Sequence, residues 1–501
     1  MNKLKDIKKL FKKPFIPTAI AVIVVYFAIR LINLDLIPVF VDEAIYVRWA
    51  QVMRNEPTLR FLPLSEGKQP LFMWILMFIL QLFSDPLVAG RVVSVAAGFV
   101  TLLGVAFLTW LVTKSRLATL ISSVFYIILP YTFFFDRMAL VDSMLAAFAV
   151  WSIILGLLLV DTPRLDLSLL LGFVLGGALL TKSPSIFFIL LQPVFLLSTK
   201  LNKQKIIKII GSWLVAGLVA FMFYNIMRLG PNFHLINSRN QDYLFSFSEV
   251  LQHPLNPLTG NLKSTFAWLG ALFGWPVFAL VFAAMFSKNR SLKVIFLWSL
   301  LPLLAQASVA KVYTPRYLLF AAVPLLVLAA SSISKLVKSL PKAGLILLAV
   351  AMLWPAITTF NLLTQPANAA LPQRMRHGYF QEWTAGYGQE DIAQYIKTKA
   401  QEGDSILIGT EGFFGTLPDG LQIYLQDVPN VTVIGLSYPV SEISQSLSSA
   451  LEENLVYLVV NKSRNKLTPQ HLERLELIDQ YPKPPRPDGT REVLQFYQLL
   501  E

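Results

Sequence analysis

Two adjacent carboxylates, Asp42 and Glu43, stand just past the first apolar stretch of the chain. Acids beside a bilayer are costly and are usually kept for chemistry or binding. Neighbouring carboxylates repel, which raises one pKa or draws a cation between them. Either state suits a general base or a metal ligand. The structural alternative is a pair of solvated acids in an interfacial turn. Further polar groups punctuate later apolar segments: Glu66-Gly67-Lys68-Gln69-Pro70, Asp136-Arg137, Asp142, Thr181-Lys182-Ser183-Pro184, Lys311 and Arg316. Lys68 and Lys182 are compact charges that could neutralise a phosphate or leaving group, with Glu66 placed to fix Lys68. Snorkelling at the interface is the plainer reading of both lysines. Arg137, with Asp136 in support, offers bidentate contact to phosphate or carboxylate. Asp142 opens an apolar segment, where it is a candidate acid or a charge at a helix N-terminus. Arg228 and Arg239 border a polar stretch at 229–263 with His234 between them, and a lone histidine is more often structural.

The elements that must position these groups are membrane helices. The 501 residues are 55% hydrophobic and only 15% charged, with mean hydropathy +0.58, against about 25% charged in soluble domains. The net charge of +13 falls in short basic blocks between apolar segments, the pattern of cytoplasmic loops and not of a nucleic-acid surface. With no cysteine, disulfides, thiolate chemistry and cysteine–zinc sites are excluded. The sequence contains no Walker loop and no zinc-protease or nucleophile-elbow motif.

Apolar length and charge punctuation place spans near 17–33, 88–112, 117–134, 142–160, 167–181, 184–199, 209–228, 264–286, 293–309, 316–334 and 343–362. Lys182 and Pro184 break 167–199 into a hairpin of two helices. The short apolar piece 68–83 decides the parity. If it does not cross, the basic residues of the N-terminus (Lys3 to Lys13), Lys114, Arg116, Arg164, Lys200 to Lys208, Lys288 to Lys293 and Lys335 to Lys342 all fall on one side. The positive-inside rule makes that side cytoplasmic and predicts about eleven spans, with 68–83 in the outer interface. The N-terminus is then inside, as an uncleaved first helix. The loops 34–87, 135–141 and 229–263 and everything after about 363 lie outside.

The tail from 366 to 501 is soluble in composition. Helices are expected at 391–400 and 442–453 and strands at 405–408, 431–436 and 455–460. The fold class is therefore a polytopic α-helical membrane protein of about eleven spans plus an interfacial helix in the first outer loop, with a C-terminal soluble α/β domain. The expected division is 1–365 as the transmembrane module and 366–501 as an extracytoplasmic domain.

Taken in order, the acid pair after the first span, an E-x-K-P-like element, an R-x-x-x-x-D element and a T-K-[GS]-P turn resemble the GT-C superfamily of membrane glycosyltransferases. The similarity is to the branch of protein O-mannosyltransferases and lipid A aminoarabinose transferases. It rests on residues 41–44, 66–71, 137–144, 181–184 and 311–319 and spans roughly 15–335. The Glu66-Gly67-Lys68-Gln69-Pro70 run departs from the tighter Glu-Lys-Pro of such relatives. The resemblance implies inverting transfer of a sugar from a polyprenyl-phosphate donor on the outer face of the plasma (inner) membrane. The acceptor would be a hydroxyl of a protein, lipid or glycan. The resemblance maps the first-loop acid onto Asp42, the second-loop acid onto Asp142 and the lipid-phosphate lysine onto Lys182.

The chemistry is consistent with that. A sugar on a lipid phosphate leaves once the phosphate charge is neutralised, for which Lys68, Arg137, Lys182, Arg239, Lys311 and Arg316 are the candidates. The acceptor needs a base on the opposite face; Asp42 is chosen, with Glu43 next. The second acid is left to orient the acceptor or hold a cation, making Asp42 and Asp142 the candidate metal ligands. A carboxylate site without cysteine suits Mg²⁺ or Mn²⁺, with Zn²⁺ as a third candidate. A lipid-linked-saccharide flippase would want polar residues along midplane helices instead. A non-catalytic, glycan-binding envelope scaffold would not need the rim acids.

Overall fold

The computed structural model of the protein describes residues 16–501. The basic residues Lys3 to Lys13 lie outside the described residues. The chain divides into two compact units.

The first unit holds residues 16–34, 57–75 and 91–372 of the described chain and is helical. Among the described residues five helices are long and apolar enough to cross a membrane: Pro86–Thr113, Val141–Asp161, Lys203–Leu229, Arg290–Val309 and Pro341–Thr364. Three bent pairs raise that to eight: Arg116–Ile128 with Pro130–Asp136, Leu258–Phe273 with Trp275–Phe286, and Pro315–Ala322 with Leu325–Ser339. The bends, 59°, 110° and 54°, fall at Pro130, at Gly274-Trp275-Pro276 and beside Pro324, where a proline removes a backbone donor and crowds the preceding turn. The remaining apolar helices are shorter: Ile16–Leu31, Leu71–Leu82, Leu165–Leu179 and Ser183–Ser198. The expected eleven spans would count three of these four. The protein is an integral membrane protein.

The expected break at Lys182 and Pro184 is present, but the second arm is not one regular helix. A single α-helical turn and a half, Ile186–Leu190, is followed by 3₁₀ structure over Gln192–Ser198, with Pro193 at its start. The first arm packs tightly on the helix Lys203–Ile226 because it is small on that face. A Cβ on Gly172 would lie 2.6 Å from Val219, and one on Gly176 would lie 2.7 Å from Phe223. This is the small-xxx-small device by which membrane helices approach closely.

The second unit holds residues 35–56, 76–90 and 373–501, so the expected domain at 366–501 also takes in two segments from the first outer loop. Its sheet contains β1 (Ile406–Thr410), β2 (Val431–Gly435), β3 (Leu455–Asn461), β4 (Leu475–Pro482) and β5 (Val493–Leu499) in the order β2-β1-β3-β5-β4. β1 runs parallel to β2 and β3, while β5 is antiparallel to β3 and β4. One face carries Ile406, Ile408, Tyr457, Val459 and Phe496 against the helix Gln389–Gln401 through Ile392 and Ile396. The other face packs Val456, Leu458 and Tyr497 against Leu447. The helix Val41–Asn55 joins this unit for a physical reason: it is amphipathic. Its polar side chains bond the domain, with Gln51 donating to the Ile423 carbonyl at 2.9 Å and Arg48 to Gln426 at 2.7 Å. Its entry is held by Val41 N–H on the Thr384 carbonyl, 3.0 Å.

Candidate functional site

Within the first unit a cavity of about 790 Å³ is lined by Lys68, Lys182 and Arg239 together with Glu66, Tyr243 and Tyr317. One flank is apolar, formed by Ile186, Phe187, Phe221 and Ile236. Three of the six basic residues expected to serve a donor phosphate therefore converge on one cavity.

Each is placed by a local device. Lys182 follows the helix Leu165–Leu179, whose end is closed by Lys182 N–H on the Ala178 carbonyl and by the Thr181 hydroxyl on that of Gly177. Pro184 then prevents the helix from continuing. The Lys182 ammonium lies 2.6 Å from Asp142 Oδ1 and 4.4 Å from the centre of the Tyr317 ring. Asp142 sits in the first turn of the helix Val141–Asp161, where the helix dipole favours a negative charge. Arg316 approaches the same tyrosine ring at 5.0 Å, so two cations lie within reach of Tyr317, a contact favoured by the ring quadrupole.

Lys68 is presented by a tight turn. Gly67 adopts a left-handed φ of 65°, and a Cβ there would fall 2.6 Å from Arg239 Cβ, so only glycine fits. The Lys68 ammonium donates to the Tyr243 hydroxyl at 3.2 Å. Arg239 pairs with Glu66 at 3.1 Å and more loosely with Asp242 at 3.7 Å. Gln69 and Asn240 both donate to the Ser183 hydroxyl, at 2.8 and 3.4 Å, tying the turn, the helix Leu235–Tyr243 and the Lys182 loop together. Lys311 stands behind them, donating to the Gln241 carbonyl at 3.1 Å, and braces the helix that carries Arg239.

Asp136 and Arg137 have other partners and are not among the residues lining the cavity. Arg137 is fully buried. It donates to the carbonyls of Ile29 (3.1 Å), Ile32 (2.7 Å) and Asn33, the open C-terminal end of the first helix. Those carbonyls have no intrahelical donor, and the guanidinium satisfies them. Asp136 accepts from Tyr126 and Ser143 at 3.1 and 3.0 Å and pairs with Arg30 at 3.3 Å, all of them buried. Both residues hold helices together, which is where the structure differs from their expected roles at a donor. Arg30 was not anticipated, although an arginine inside the apolar helix Ile16–Leu31 is itself a signal of a buried partner.

Asp42 and Glu43 belong to the second unit. Glu43 is fully buried, and its carboxylate accepts from the Phe40 N–H at 3.0 Å, so it caps the helix it begins. Asp42, one residue earlier, is half-buried. Of the pair, the structure spends Glu43 on the fold. The metal expectation finds no cage: Asp142 is already neutralised by Lys182, and among the described residues no group of three or more His, Cys, Asp or Glu side chains is assembled to hold an ion.

Tyr243, Tyr317 and Asn240 were not singled out from sequence. Tyr317 adjoins Arg316 in a short polar loop, which is a usable signal; Tyr243 carries none.

The comparisons with known proteins decide the fold. ArnT from Cupriavidus metallidurans, in a crystal structure bound to undecaprenyl phosphate, matches with a TM-score of 0.60 at 14% identity, over 96% of this chain and 97% of that one. The same protein in the apo state matches with a TM-score of 0.56 at 15% identity, over 96% of each chain. The fold resembles that of ArnT. Residues 67–227 match the family model described as dolichyl-phosphate-mannose-protein mannosyltransferase, which bears out the expected GT-C resemblance. That segment contains Lys68, Asp136, Arg137, Asp142 and Lys182. No curated protein matches the chain in sequence.

Proposed function

We propose that the protein transfers a sugar from a polyprenyl-phosphate donor to a hydroxyl acceptor at the extracytoplasmic membrane face, with inversion. The observation that carries this is the convergence of Lys68, Lys182 and Arg239 on one cavity with an apolar flank. Cations suit the phosphate and the apolar flank suits the prenyl chain. The solved GT-C structure that contains undecaprenyl phosphate supports the same class of donor.

In this reading Asp42 removes the proton of the acceptor hydroxyl. The oxygen attacks the anomeric carbon, the bond from that carbon to the phosphate oxygen breaks, and its electron pair leaves with the lipid phosphate. Fixed cations favour that developing charge because they need no reorganisation when the bond breaks. Asp142 holds Lys182 in place; Glu66 and Tyr243 hold Arg239 and Lys68.

The test is to incubate the purified protein with polyprenyl-phosphate sugars and candidate envelope acceptors and follow the acceptor by mass spectrometry. A mass increase of one sugar, with the opposite anomeric configuration to the donor, is expected. Failure to bind polyprenyl phosphate and to yield product with any donor would overturn the proposal.

A further inference from the structure

In an open α/β sheet a ligand is expected at the carboxyl ends of the strands where the order reverses, here between β1 and β3. The protein fills that crevice with its own side chains. Glu411, directly after β1, accepts from the Asn461 N–H and side-chain amide at 2.7 and 2.8 Å. Lys483 donates to Asn461 Oδ1 at 2.7 Å. Glu411, Asn461 and Lys483 are buried, so the crevice is closed by a satisfied charge network. What the same end of the sheet does present is apolar. Phe413 is 75% exposed, Phe414 53% and Tyr438 62%. The loops carrying them are joined, since Gly412 N–H bonds the Ser437 carbonyl at 3.2 Å and a Cβ on Gly435 would lie 2.8 Å from Phe413 Cα.

A basic segment runs beside this tip. Val440 N–H bonds the Arg464 carbonyl at 3.0 Å, and Lys466 N–H bonds that of Val440 at 2.8 Å. The exposed Lys462 and Lys466 therefore flank the aromatic loops, and Arg464 lies 4.3 Å from the Tyr438 ring. The tip adjoins an early segment of the same unit: a Cβ on Gly415 would lie 3.5 Å from Val41 Cγ2. Val41 follows the end of the apolar helix Ile16–Leu31 by ten residues, a tether of at most about 35 Å.

From these observations we infer that the Phe413–Phe414 and Tyr438 loops, with Lys462 and Lys466, form a membrane-contacting tip of the second unit that binds an anionic lipid surface. Two hydrocarbon rings and an amphipathic tyrosine are the side chains that lodge at the headgroup boundary. Exposed lysines beside them add attraction to anionic headgroups. A sugar-binding surface would present the polar edges of tryptophan and tyrosine instead of two adjacent phenylalanines.

The chain has no cysteine, so one introduced thiol carries one label. Full-length Phe413→Cys bearing an environment-sensitive fluorophore is placed in nanodiscs of purified phospholipid, with Glu453→Cys, exposed at the start of β3 and so at the other end of the strand, as reference. The label at 413 should shift to the blue and be quenched by lipids carrying a quencher near the headgroup, several-fold more than at 453. The effect should be larger with anionic than zwitterionic lipid, and K462Q/K466Q should remove that difference. A label at 413 that reports water in every bilayer overturns the inference. So does one equally shielded in lipid-free detergent micelles and immune to the quenchers, because its cover would then be protein.

Discussion

At the scale of single residues, the roles proposed for Asp42 and Lys182 separate proton transfer from charge neutralisation. Asp42→Asn keeps the shape and removes the basicity. Turnover should fall about 10²–10⁴-fold while polyprenyl-phosphate affinity stays at the wild-type level; near-normal turnover would remove Asp42 from the mechanism. With Glu43 committed to the Phe40 N–H, its replacement should instead lower thermal stability. Lys182 needs a different design, because Lys182→Ala strands Asp142, which is 3% exposed, and an unpaired buried charge destabilises the protein. The informative comparison is Asp142→Asn against Asp142→Asn/Lys182→Ala. The double variant should bind donor more weakly, and Arg at position 182 should recover part of the loss. Equal affinities would return Lys182 to an interfacial lysine held by its neighbours.

At the scale of elements, the sequence revealed where the helices break and hid what holds them. Pro184 and the Lys182 turn were legible because a proline after a charge ends an apolar run. Arg137 was misleading for an equally physical reason: a guanidinium binds helix-end carbonyls as well as it binds phosphate, and residue type does not distinguish them. In the second unit the apolar β1, β2 and β3 are visible as hydrophobic runs. β4 is not, since residues such as Glu476, Asp479 and Gln480 face solvent and Pro482–Pro487 resembles a loop. The close helix pair at Gly172 and Gly176 gives a direct test. Gly176→Val would drive a side chain into Phe223 and should lower the unfolding temperature in detergent by several degrees, whereas the same change at Gly211, with open space around it, should not. A second element-level test uses pH. Burial raises the Asp419 carboxyl to about 6, partly offset by the Gly415 N–H and by Arg48. The folded state thus holds its proton more tightly than the unfolded chain, near 3.8. Asp419 therefore favours folding below about pH 4, and that contribution is lost as pH rises through about 6, on the order of 2–3 kcal/mol. Asp419→Asn should flatten the fall in stability between pH 4 and 6.5, measured by thermal unfolding at each pH; an unchanged slope would assign it elsewhere.

For the whole molecule, orientation is the open quantity that the basic loops address. The positive-inside rule places Lys203 in the cytoplasm and Ser405 outside. In intact cells a cysteine at position 405 should react with a membrane-impermeant reagent and one at 203 should not; the reverse pattern would invert the topology. The second unit also differs from a simple tail in how it is made. Gln51 bonds the Ile423 carbonyl across 372 residues of chain. At synthesis rates of about 5–20 residues per second, the Val41–Asn55 helix waits roughly 20–75 s for the partner it packs against. Throughout that interval the newly made chain has to carry an amphipathic segment, Asp42 included, with no domain to receive it. A stop codon before about residue 419 would remove the partners of Arg48 and Gln51 and leave that early segment permanently undocked, so loss of a distant tail should register first at the acid pair.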